Sequence, residues 1–262
     1  LRPTRHAQAF REEYIDLAEV FPEARDAGTY FAPTCRPFMA GAKQYAVPFL
    51  FSPRVMIYNP DLLRRAGCTL PRPGWEWIDF VASLKQLRGQ LPAQNIFPWS
   101  RGENMWMCFV FRAGGCLIAD DPVDPVRIDS PETRHGLQLW REILDILGPE
   151  TFAEGAPRHD ALDAFARGQG AFLLGTRQDA GGLRSRGFDG WEAVPLPLVP
   201  GGRDVTVQTT DAICIRPSCP SRALARRFVE TMLSEPVQDF IGKLGYGIPM
   251  RKSAAFRSLD IG

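Results

Sequence analysis

Few residues of this 262-residue chain are spaced for covalent chemistry. The two carboxylates adjacent in its middle, Asp120 and Asp121, are followed by Pro122 and Pro125. That pattern makes a solvated turn rather than an acid–base pair held across a reacting bond. No G-x-S-x-G elbow, H-E-x-x-H helix, P-loop or strand-borne G-x-G-x-x-G is present. The six cysteines, Cys35, Cys68, Cys108, Cys116, Cys214 and Cys219, include no C-x-x-C pair, and His6, His135 and His159 are scattered. Neither set has metal-ligand spacing. Cys68, Cys108 and Cys214 stand in apolar surroundings and read as small buried hydrophobes. Catalytic residues, a metal and a cofactor are therefore not expected, and the chemistry left is non-covalent binding.

The composition agrees with a globular binder. Apolar residues make up 45% and charged residues 23%, and the length is enough for two domains. A net charge of +1 gives no electrostatic case for nucleic acid or an anionic membrane. No apolar run approaches the roughly 20 residues needed to span a bilayer. With no signal peptide and no initiating Met, Leu1 is expected to open a processed chain or a fragment.

The pattern of elements is α/β. A helix is expected over Ala7–Ala18, and a proline-broken strand runs through Tyr45-Ala-Val-Pro-Phe-Leu-Phe-Ser-Pro-Arg-Val-Met-Ile-Tyr-Asn59. Pro48 and Pro53 remove ladder donors, so this stretch reads as a connection leaving one sheet for another. Apolar spacing predicts a helix from Trp75 to Gly89, with Trp75 and Trp77 in the core. A short buried strand is expected at Asn95–Pro98, and a helix from Asn104 to Ala113. Ser130-Pro-Glu132 is a capped helix start whose apolar face would be Leu137, Trp140, Leu144 and Leu147. Ala161–Gly175 reads as helix, glycine turn and strand. Further strands are expected at Trp191–Leu198 and Asp211–Ile215, with a turn at Pro200–Gly202 between them. A helix over Ser221–Leu233 would bury Leu224, Ala225, Phe228, Val229 and Met232, and another follows Ser234-Glu-Pro236. Gly245-Tyr-Gly-Ile-Pro-Met-Arg251 closes the pattern.

From about residue 40 to 252, the order and spacing of these pieces resemble the extracellular solute-binding proteins of ABC importers, the sugar-binding family that includes maltose-binding protein. The resemblance implies a two-lobed α/β periplasmic-binding-protein (Venus-flytrap) fold whose N-terminal lobe lacks its first strands. Residues 1–50 and 191–235 would form that partial lobe, and 51–190 and 236–262 the other. Tyr45–Ser52 and Gly190–Pro200 would be adjacent crossings between them. The strand Asp211–Ile215 would have an exposed edge, or a covering segment such as the N-terminal helix. Ligand binding would close the lobes through its differential affinity for the closed form.

The same resemblance selects the site. A sugar needs flat apolar rings together with side chains that donate and accept hydrogen bonds. Three segments would reach the interlobe cleft: the hinge entry with Phe51 and Ser52, the loop with Glu103, Asn104 and Trp106, and Gly175-Thr-Arg-Gln-Asp179 with Arg177. Where many relatives carry a stacking tryptophan this sequence has Arg177, which opens an anionic ligand. Asp211, in Thr209-Thr-Asp211, is a further acceptor. The implied partners are a sugar or sugar-like small molecule and an ABC permease, at a periplasmic or membrane-anchored extracellular location. The alternative is a ligand-sensing domain of a cytoplasmic transcription regulator with the same fold, where six unpaired thiols would sit well.

Overall fold

A computed structural model describes residues 13–18, 21–98, 105–118, 126–148 and 161–259. It divides into two compact units: unit 1 is residues 1–52 with 208–262, and unit 2 is residues 53–207. In chain order the strands are β1 (Met39–Ala40), β2 (Lys43–Gln44), β3 (Val47–Pro53), β4 (Val55–Tyr58), β5 (Phe172–Gly175), β6 (Glu192–Val194), β7 (Gln208–Ile213) and β8 (Ile248–Pro249). The helices are α1 (Pro60–Arg65), α2 (Trp77–Arg88), α3 (Ala93–Ile96), α4 (Trp106–Arg112) and α5 (Pro131–Leu147). They continue with α6 (Ala161–Ala166), α7 (Arg177–Ser185), α8 (Arg222–Met232), α9 (Glu235–Leu244) and α10 (Lys252–Leu259).

Unit 2 is built on an antiparallel sheet in the order β5-β4-β6. The central strand reads Val-Met-Ile-Tyr, an unbroken apolar run suited to burial on both faces. Val55 lies opposite Gly175, while Tyr58 faces Phe172 on one side and Glu192 on the other. One layer of the core gathers round Phe80, whose ring meets Trp75, Trp77, Phe97 and Phe172 at centroid distances of 5.5, 5.6, 5.7 and 5.4 Å. Trp75 and Trp77 are thus core residues, as expected. Local chemistry sets the helix starts: Glu76 and Asp79 form a capping box on α2, and Ser130 accepts from the Thr133 amide (3.1 Å) ahead of Pro131 in α5.

Helices α4 and α5 pack at very short range. A Cβ on Gly136 would stand 2.3 Å from Val110 Cα and 2.9 Å from the Phe109 carbonyl oxygen. Beside this contact Arg112 is only 1% exposed. Its Nε donates to Pro197 O (2.7 Å) and its Nη1 to Val205 O (2.6 Å). Nη2 reaches Leu196 O (2.6 Å) and Asp204 Oδ1 (2.7 Å). The same return segment is held from its other side, where Trp75 Nε1 donates to Pro195 O (2.8 Å) and the Trp77 amide to Leu198 O (2.8 Å).

Unit 1 has a second sheet, β7-β3-β8, with Leu50 opposite Pro249 and Phe51 opposite Ile248. Gly247 permits the approach, since a Cβ there would fall 2.8 Å from Leu50 Cδ1. Leu17, Phe21, Val47, Ile215, Val229 and Met250 form its core. The buried amide of Gln238 donates to Phe49 O and Met232 O and accepts from the Arg251 amide, fastening β3 to the α8–α9 turn and the end of β8.

Several expectations change. Residues 191–207 belong to unit 2 because β6 pairs with β4, and 236–262 belong to unit 1 because β8 pairs with β3. The chain therefore passes between units at 52/53 and 207/208 rather than at Gly190–Pro200. On the unit 2 side the Arg54 amide donates to Val207 O (2.9 Å), and on the unit 1 side the Thr209 hydroxyl donates to Ser52 O (3.4 Å). Residues 93–96 are a helical turn after Pro92, not a strand. In α5 the buried face is Gly136, Leu139, Trp140, Ile143 and Leu147, with Leu137 turned outward. In α8 Val229 is buried while Leu224 and Phe228 face solvent. Cys214 is exposed, and Cys35 joins Cys68 and Cys108 as a buried thiol. The strand near Asp211 spans Gln208–Ile213, and residues 13–18 are turns; the rest of the helix expected at Ala7–Ala18 lies outside the described residues.

Two substitutions test this packing in urea unfolding. Arg112→Ala strands the carbonyls of Leu196, Pro197 and Val205 and should cost about 3–5 kcal/mol. Gly136→Ala forces a methyl against backbone atoms that cannot step aside and should cost about 1–3 kcal/mol.

Candidate functional site

The end of the unit 2 sheet where Val55 meets Gly175 collects polar groups from three parts of the chain. β5 delivers Gly175 to the start of α7, and Thr176 caps that helix. Asp179 Oδ2 accepts from the Thr176 amide (2.6 Å) and from its hydroxyl (3.0 Å). Arg177 is the first helical residue and is half-buried. Burial, and after it the positive charge of Arg184, disfavour its charged form. Arg184 itself lies 5.6 Å over the Trp191 ring. From the chain entering the unit, Arg54 Nη1 donates to Leu174 O (3.3 Å), three residues before Arg177. From the chain leaving it, the Thr206 hydroxyl donates to Arg54 O (2.8 Å).

Two guanidiniums and two hydroxyl side chains thus stand at one end of one sheet. Arg54 carries no signal of its own in the sequence, where Pro53-Arg54-Val55 reads as a strand connection. Its signal is positional: it is the last residue before the central strand, and antiparallel pairing returns β5 to the same end.

The other expected site residues are distributed as follows. Trp106 opens α4, half-buried against the unit 2 core. Glu103 and Asn104 lie outside the described residues. In unit 1, Phe51 is buried on β3 with its ring edge-on to Phe31 at 5.1 Å. Ser52 is buried beside Thr209, and Asp211 is exposed on β7.

The opposite end of the unit 2 sheet joins a buried tyrosine to an exposed carboxylate. The Tyr58 hydroxyl donates to the Glu192 carboxylate, with Pro71 O as a second acceptor at 3.3 Å. Burial and the Glu192 hydrogen bond push the phenol up to about 12. At neutral pH it is a fixed donor tying β4 to β6, rather than a proton shuttle. Among the described residues no cluster of His, Cys, Asp and Glu has the geometry to hold a metal ion.

Two small sheets, each assembled from distant parts of the chain, with the chain passing between units twice, define the class: a two-lobed α/β fold. The bacterial extracellular solute-binding protein family model matches residues 11–239, and the chain belongs to that family. An uncharacterized lipoprotein encoded in the oleD 5' region of Streptomyces antibioticus is 28% identical over 204 residues, which cover 74% of this chain and 44% of that protein. Among solved structures, an ABC substrate-binding protein of Listeria monocytogenes in complex with cycloalternan superposes with a TM-score of 0.79 at 21% identity, covering 98% of this chain and 67% of that one. Maltose-bound MalE3 of T. maritima superposes with a TM-score of 0.75 at 21% identity, covering 95% and 65%. The chain thus spans under half the length of the curated relative and about two thirds of the solved ones. No described helix is long and apolar enough to cross a membrane.

The tyrosine pair has a pH signature. Its raised folded value means the unfolded chain gives up this proton first, from about pH 10. Stability should therefore be complete below pH 10 and fall as pH rises towards 12. Tyr58→Phe should flatten that alkaline decline in urea unfolding series at pH 9 to 11. An unchanged slope would remove Tyr58 as its source.

Proposed function

We propose that this chain binds a carbohydrate or related polyhydroxylated solute that carries an anionic group, and delivers it to an ABC permease from a periplasmic or membrane-anchored extracellular position. Family membership supports solute binding. The Listeria and T. maritima structures, bound to cycloalternan and maltose, support the sugar-like class, and the Streptomyces lipoprotein supports the location. The observation that carries the anionic group is that Arg54, bonded to Leu174 O, and Arg177, three residues further on, come to the same end of one sheet. The half-buried Arg177 guanidinium, whose charged form is disfavoured by burial and by the positive charge of Arg184, gains from an anion.

In this reading Arg177 and Arg54 take the anion, and the Trp106 ring offers an apolar face. The reading involves binding and release alone, with no covalent step.

Titration calorimetry with glucose, glucuronate and glucose 6-phosphate tests it. An anionic member should bind more tightly than neutral glucose. Arg177→Ala should weaken that binding by about 10- to 150-fold, the about 1.5–3 kcal/mol of a charged hydrogen bond, while affecting glucose less. Equal affinities across the three sugars, or unchanged affinity in the variant, would remove the anionic assignment.

A further inference from the structure

Arg54 follows Pro53, whose ring nitrogen carries no hydrogen to donate. The strand entering unit 2 therefore has no backbone donor at 53, and its hold on the return segment begins with Arg54 itself. There the backbone is gripped on both sides of the Cα. The Arg54 amide donates to Val207 O (2.9 Å), and Arg54 O accepts from the Thr206 hydroxyl (2.8 Å). The side chain is tied at its far end, where Nη1 donates to Leu174 O (3.3 Å). One residue is thus fixed through three atoms by two other segments.

The hydroxyl stands where a backbone donor would ordinarily serve. An antiparallel pair that begins with the Arg54 amide on Val207 O closes with the Val207 amide on Arg54 O. Here the Val207 amide is directed at the thiol of Cys108, buried on α4. Burial pushes that thiol up, and the Val207 amide is the strongest of the groups that oppose it. Half-buried Thr206 supplies the missing donor from its side chain.

We propose that Thr206 is a positioning residue of the candidate site: its hydroxyl holds Arg54 and, through Arg54, sets the site's preference for a charged ligand. The inference rests on the anionic reading above. An arginine that must be ordered when its ligand arrives loses part of the interaction to lost rotamer freedom, and one already clamped loses less. Arg177 is set by a hydroxyl of its own, since Thr176 and Asp179 cap the helix it opens. Arg54 stands between β3 and β4, outside any helix, and has Thr206 in the corresponding role. Valine matches threonine in shape and lacks the donor, so it separates the bond from the packing.

Titration calorimetry with glucuronate and glucose, together with hydrogen exchange at the Arg54 amide, tests the assignment in wild type, Thr206→Val and Thr206→Ser. Thr206→Val should reduce the preference for glucuronate over glucose by about 2- to 12-fold, the range for ordering one long side chain on binding. Its glucose affinity should stay at the wild-type level, while the Arg54 amide exchanges faster. Thr206→Ser keeps the donor and should restore both the preference and the protection. A hydroxyl with only a structural role weakens both sugars alike, and that result would overturn the proposal, as would a serine variant that does not rescue. If Thr206→Val does not fold, Thr206→Ala replaces it. Failure of both to fold makes the hydroxyl a stability residue and overturns the proposal too. A wild type that binds glucuronate no more tightly than glucose removes the anionic reading and this inference with it. A selective wild type beside an equally selective Thr206→Val removes the inference alone.

Discussion

The guanidinium of Arg112 ties the end of α4 to the return segment of unit 2. It leaves the last turn of α4 and reaches three carbonyls and one carboxylate on the segment 196–205. The planar fork matters, because an ammonium could not serve acceptors spread over ten residues from one buried position. The segment so held runs on to Thr206 and Val207, which bond the backbone of Arg54. The geometry of the candidate site, where Arg54 and Arg177 share a sheet end, rests on this return segment staying where Arg112 and the Trp75–Trp77 edge fix it.

That dependence explains why helix packing and site geometry are not separable here. The Gly136 contact brings α5 hard against the backbone of α4, and α4 in turn carries Arg112. Since interiors relax little when a contact is lost or overfilled, a change at Gly136 reaches the return segment through two rigid steps. The Tyr58–Glu192 bond fastens the far end of the same sheet. The sheet is thus pinned at both ends, and the arginines sit on a fixed frame.

Much of this was legible in the sequence wherever the cause is local. Ser130-Pro131 announces α5, Gly89 ends α2, and the glycines of 168–170 turn α6 into β5, because caps and turns are decided within a few residues. The order of such pieces was enough to reach the family and the two-lobed fold. Errors fall where the deciding partner is remote. β6 joins unit 2 through pairing with a strand more than a hundred residues earlier, and no pattern within 191–198 says so. Leu224 and Phe228 belong to an apolar face in the sequence, yet both stand exposed on α8. Arg112 reads as a cation at a helix end, and Arg54 as a linker residue. Arg177 is marked as a candidate by the resemblance and not by its own spacing.

The discontinuity of unit 1 sets an order of birth. Unit 2 is one continuous stretch, 53–207, and has all its strands once residue 207 has been synthesised. Strand β3 is made early, but its partner β8 is made almost two hundred residues later. At ribosomal speeds of about 5–20 residues per second, that is a wait of about 10–40 s. Throughout it Val47, Phe49 and Phe51 belong to a strand whose far edge has no partner. The first lobe to begin emerging is therefore the last to close, and the nascent chain carries a sticky apolar strand just ahead of a lobe that can already have folded.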